Sequence, residues 1–197
     1  MTFIRLPDRP MPNDMDVLLM DMGGVLRGAS SLRIDRPGNR HAITFKYPRE
    51  AMAPEVASGF KARLKRAKRQ GIEVKIPLLV PQGLPGAPVV DGAVTSSASS
   101  LAVRGLNPGY AALEDFWLTI IEADGTAYLH SISVTAVAGA DGKAVWQIEP
   151  PLRAPFADGD TIEIGAPYIQ GFVANEMGFR TDPERITDVM VSVEEYQ

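Results

Sequence analysis

Short apolar runs cut by turn residues dominate this sequence and restrict what it can fold into. Asp124-Gly125, Asp141-Gly142 and Asp158-Gly159 each lie between stretches of alternating or β-branched residues. An aspartate–glycine pair tolerates the positive φ angles of a tight hairpin, so it is a strong short-range hairpin signal. Residues 101–104, 116–122, 128–137, 144–148 and 161–164 read as the strands around those turns, with Asn107-Pro108-Gly109 marking a further one. Strands at this spacing predict a small antiparallel barrel or sandwich. No helix long enough for a parallel βαβ crossover lies among them, which disfavours a doubly wound fold.

The earlier part has a different texture. Residues 32–35 and 42–47 alternate apolar and polar around Pro37-Gly38-Asn39, which predicts a hairpin. The pattern then changes period. Val56, Ala57, Phe60, Leu64 and Ala67 recur at helical spacing and predict one amphipathic helix over 54–70. Pro54 suits its first turn and Gly71 its left-handed cap. Residues 72–80 resume as a strand, with Pro77 suggesting an edge or a bulge. Gly23-Gly24 matches neither a dinucleotide fingerprint nor a phosphate loop, and reads as a bend or a tightly packed point. Residues 81–98, rich in proline, glycine and small side chains, read as a linker or extended arm with a boundary near Pro85. The tail alternates again at 187–193, and one economical arrangement returns it to the first sheet. The expected fold is therefore mostly β, a β-rich α+β chain. Residues 1–84 and 170–197 would form a belt-like β-sandwich with the helix, and 85–169 an inserted small antiparallel β-barrel or sandwich.

Composition narrows the chemistry. The chain has 197 residues and no cysteine, which removes disulfides, thiolate metal sites and cysteine nucleophiles. Its two histidines, His41 and His130, each sit in a strand pattern without a second ligand nearby. The turn aspartates lack the spaced ligands and closing glutamate of a calcium loop. No serine has a nucleophile-elbow context. No catalytic residue, metal or cofactor is expected, and the chain reads as a non-enzyme; a small β-fold hydrolase is the remote alternative. A net charge of −4 gives no global pull toward nucleic acid, and sequence-specific nucleic-acid binding is not expected. No apolar stretch suits a membrane span or a secretory leader, so synthesis in a cytoplasm is expected.

Two features remain as candidate binding surfaces. Lys61, Lys65, Arg66, Lys68 and Arg69, with Arg63, crowd the second half of the helix. They read as a solvated face, as a subunit contact, or as a surface for DNA phosphates. The tail carries Asp188, Glu194 and Glu195 without a base after them, which makes it a candidate acidic partner within an assembly. Trp117 and Trp146 sit in strands of the middle region. Either one, if exposed, could form a ligand face for a carbohydrate- or receptor-binding module; otherwise both belong to the core.

The stretch from 88–93 (PVVDGA) through 100–106 (SLAVRGL), Glu114-Asp115-Phe116, Tyr128-Leu129-His130 and 148–153 (IEPPLR) to 158–162 (DGDTI) resembles distal tail and minor tail proteins of long-tailed bacteriophages. The order of helix, apolar strand and barrel-like segment is similar too. The resemblance implies a virion protein of the tail tip, made in the host cytoplasm. It implies a homo-oligomeric ring, usually sixfold, whose partners are the tail tube protein, the tail hub and other minor tail proteins. In that setting the first region would supply the inner belt, and an edge strand would be completed by a neighbouring subunit.

Overall fold

A computed structural model describes residues 3–20, 25–27, 33–35, 38–47, 54–175, 181–182, 185–186 and 189–196. The expected bend at Gly23-Gly24 lies outside them. Among the described residues the chain is mostly β with one helix, and it divides into two compact units. One comprises Met1–Leu18, His41–Pro77 and Tyr168–Gln197; the other comprises Leu19–Arg40 and Leu78–Pro167. The second unit thus begins ahead of Pro85 and also takes in 19–40.

The second unit contains a closed six-stranded barrel. Its strands run, in order around the wall, Trp117–Ile121, Ala127–Val134, Ala144–Glu149, Ser100–Leu106, Gly86–Val90 and Thr161–Glu163, which pairs back to Trp117–Ile121. Every pairing is antiparallel. Closure leaves no open edge strand in the wall. Alternation sends Val90, Leu101, Val103, Leu118, Ile120, Ile132, Trp146, Ile148 and Ile162 into one buried core. Phe156 adds its ring edge-on to Tyr128, with centroids 5.3 Å apart. The segment expected to be a linker is corrected here, because Gly86–Val90 is a wall strand. Its proline is tolerated because the register with Ser100–Leu106 shifts between Gly86 and Val89, a bulge that relieves Pro88 of ladder pairing.

The first unit is built on a six-stranded sheet. Its order is Ile4–Arg5, Ile72–Lys75, Tyr168–Val173, Val189–Glu195, Arg40–Tyr47 and Asp14–Met20. The helix Pro54–Gln70 packs on this sheet through Phe60, Leu64 and Ala67, all buried. Facing them, Tyr47, Phe45 and Ile43 stand opposite Val189, Val191 and Val193. The Tyr47 and Phe60 rings meet edge-on at 5.0 Å. Val56 departs from the expected stripe and is 47% exposed.

Two further expectations are corrected. Residues 33–35 pair with Val25–Arg27, not with 42–47. Arg40–Tyr47 finds its partner in the C-terminal Val189–Glu195, whose alternation matches it residue for residue. The strand after the helix ends at Lys75, two residues before Pro77, and it lies inside the sheet instead of at its edge. Ending before the proline spares the ladder a missing donor.

Candidate interaction surfaces

The helix places its bases by simple periodicity. With Phe60, Leu64 and Ala67 facing the sheet, Lys65, Arg66, Lys68 and Arg69 are exposed, and Lys61 is half-buried at the flank. Arg63 donates to the Arg5 carbonyl at 3.0 Å and Lys68 to the Asn175 carbonyl at 2.8 Å. No carboxylate among the described residues forms an ion pair with a helix base.

The tail acids part company. Glu195 is 2% exposed, and its carboxylate accepts the His41 backbone N–H at 2.7 Å. It lies on the covered side of the sheet with Val191 and Val193, so it is not available as a contact for a neighbour. Glu194 alternates to the other side and is half-buried. Asp188 lies outside the described residues.

The tryptophans also separate. Trp146 is wholly buried opposite Leu101 in the barrel core, which removes it from any ligand face. Trp117 is half-buried, and both of its backbone polar groups are engaged by Gln82. His130 is buried, with ring Nδ1 2.8 Å from the Pro150 carbonyl, and His41 is buried in the sheet. Among the described residues no three potential ligands gather into a metal-holding group.

A groove of about 450 Å³ runs between 83–89 and 161–165. It forms because Gly86–Val90 and Thr161–Glu163 pair only at Val89 and Thr161 before diverging. Glu163 is its one ionisable lining residue, and that carboxylate accepts the Ala166 N–H at 2.8 Å. The groove therefore presents a largely apolar wall without a nucleophile or a base pair.

Sequence reasoning missed the most unusual surface. Asp14–Met20 is an edge strand of the six-stranded sheet, and Val17, Leu18 and Leu19 are 42%, 62% and 41% exposed. Consecutive strand residues point to opposite faces, so this strand shows apolar side chains on both. Its beginning is pinned, since Lys46 pairs with Asp14 at 2.9 Å and with Asp16 at 2.7 Å. The run Val17-Leu18-Leu19-Met20 was readable, but a continuous apolar run ordinarily signals a strand buried on both faces.

A second surface is acidic. Between Leu78 and Pro167 the sequence has ten carboxylates against three bases, Arg104, Lys143 and Arg153. Arg104 pairs with Asp91 at 3.1 Å and with Asp158, and Lys143 with Asp91 at 2.8 Å. Pairing of Ile121 with Thr161 brings the 122–126 turn beside the 157–160 turn. The Glu122 carboxyl is pushed up by burial and by the neighbouring Asp124 and Asp160.

No known family model matches the chain. No curated protein matches it in sequence either.

Proposed function

We propose that this chain is a structural component of a bacteriophage tail tip. It forms a homo-oligomeric ring, sixfold by the resemblance, that joins the tail tube to the hub and host-recognition apparatus. The resemblance of 88–162 to distal and minor tail proteins supplies the setting. The observation that carries the assembly part is the Asp14–Met20 edge. A seven-residue strand with no second ladder partner among the described residues, and with three successive exposed apolar side chains, is a template for another chain. Pairing with a strand of a neighbouring copy would satisfy its backbone and set its apolar side chains beside the neighbour's on each face, and repeating that contact head to tail closes a ring.

The test is the particle mass and shape of the purified protein, by light scattering with negative-stain electron microscopy. Rings in the wild type that Leu18→Lys reduces to monomers, with unchanged circular dichroism, are the expected result. Monomers at every concentration, together with no incorporation of the protein onto purified tail tubes, would refute the reading.

A further inference from the structure

We infer that the basic face of the Pro54–Gln70 helix docks on the acidic barrel of a second copy of this chain. The inference rests on the self-assembly reading and adds a second, electrostatic contact to the edge-strand one.

The helix cannot account for its own charge. Against Glu55 it carries Lys61, Arg63, Lys65, Arg66, Lys68 and Arg69. A helix C-terminus favours cations, but that field fades within the last turn and so reaches Lys68 and Arg69, not Lys61 or Lys65. Lys61, Lys65 and Arg69 stand four residues apart in one row. Like charges at that spacing oppose helix formation. An acid at any of these positions would reverse the sign of that effect, and none is present. Arg63 and Lys68 donate to carbonyl groups, which hold the side chains without neutralising them. Among the described residues the row therefore has no carboxylate partner, with Lys65 and Arg69 exposed and Lys61 half-buried.

The complementary surface, within residues 78–167, has an acidic excess. The barrel's ten carboxylates face three bases, and Arg104 and Lys143 are already committed to Asp91 and Asp158. Glu122, Asp124 and Asp160 gather where the 122–126 and 157–160 turns meet. Duplex DNA would also attract the helix, but it would be repelled by this barrel in the same molecule. A second copy offers both signs, and complementary patches of this kind orient partners and speed their encounter. The buried Glu195 cannot play the acidic part first expected of the tail; the barrel can.

The test uses the full-length chain with helix reversal (Lys65→Glu, Arg66→Glu, Arg69→Glu) and barrel reversal (Glu122→Lys, Asp124→Lys). Each variant is checked for native circular dichroism, and association is followed by sedimentation velocity. Wild-type association is expected to weaken about tenfold or more when salt rises from about 50 mM to about 500 mM. Each reversal alone should weaken association at low salt by a similar factor, and an equimolar mixture of the two should recover it. If helix reversal leaves association and its salt dependence unchanged while Leu18→Lys abolishes it, this inference fails and the edge-strand assembly stands. If the wild type does not associate at any salt this inference fails, and if it also is not incorporated onto purified tail tubes both fail. If the mixture does not recover, and wild type instead binds a fluorescent DNA duplex that helix reversal releases, the face belongs to nucleic acid and the second-copy assignment is overturned.

Discussion

Gln82 is 4% exposed and holds the entry to the barrel by side-chain hydrogen bonds that a strand would otherwise make with its backbone. Its Nε2 donates to the Trp117 carbonyl at 2.7 Å and to the Ile164 carbonyl, while its Oε1 accepts the Trp117 N–H at 2.8 Å. Tyr110 donates its hydroxyl to the Gln82 carbonyl at 2.7 Å, and burial pushes that phenol up to about 12. Gln82→Ala removes three hydrogen bonds, two to Trp117 and one to the Ile164 carbonyl. It should cost about 1–3 kcal/mol, read as a lower urea midpoint with an unchanged slope. Gly171 is constrained differently, since a Cβ there would overlap the Glu194 carbonyl across the sheet. Glu122→Gln should act in the opposite direction. Its raised carboxyl value means that its folded form is favoured while protonated and loses stability as pH rises through that value. Removing the charge should raise the melting temperature at neutral pH and leave it unchanged in acid, as measured by calorimetry at the two pH values.

Loops and strands respond as units. The loop after Gly86–Val90, the 157–160 turn and the start of Ala144–Glu149 are tied together by Asp91, Asp158, Arg104 and Lys143. Hydrogen bonds from Lys143 and Arg104 hold the Asp91 carboxyl below the usual range; those from Arg104 and the Gly92 N–H do the same for Asp158. Carboxyls lowered on folding contribute stability above their unfolded value, and that contribution is lost as pH falls through the folded one. The stability contributed by these two carboxyls should therefore stay level from neutral pH to about 5 and decline below about 4, and Arg104→Gln should flatten that acid limb of the melting temperature. Within the sheet, the C-terminal strand is the element with the largest expected effect. Val189, Val191 and Val193 are at most 2% exposed, and burying each is worth about 1.5–3 kcal/mol. Ending the chain before Val189 also uncovers Ile43 and Phe45 opposite them. Such a chain should lose the sheet unit's protection from hydrogen exchange over 41–47 and bind a hydrophobic dye, since the loss is comparable with a domain's entire stability.

On the scale of the whole molecule, the amino-acid sequence settles what nearest neighbours settle. The helix over Pro54–Gln70 follows from apolar residues at three- and four-residue spacing, a proline in its first turn and Gly71, whose φ of 85° is the expected cap. The barrel hairpin at 122–126 follows from aspartate–glycine chemistry, and the mostly β class from runs too short to be helices. Partners across long separations are not written that way. Arg40–Tyr47 could alternate equally well against 33–35 or against Val189–Glu195, and only burial under the helix selects the latter. Gly86–Val90 carries linker composition and becomes a wall strand because a bulge absorbs its proline. The same reasoning applies to the surfaces. The helix bases were legible because periodicity alone puts them outside. Alternation left Trp146 equally able to face in or out, and barrel closure put it in. Val17, Leu18 and Leu19 form an apolar run that nothing local marks as exposed, because exposure depends on whether another strand lies alongside. Local periodicity and turn chemistry thus determined the elements. Tertiary structure alone decided which strands pair, which aromatic is core and which edge is left open, because burial depends on residues far away in the chain.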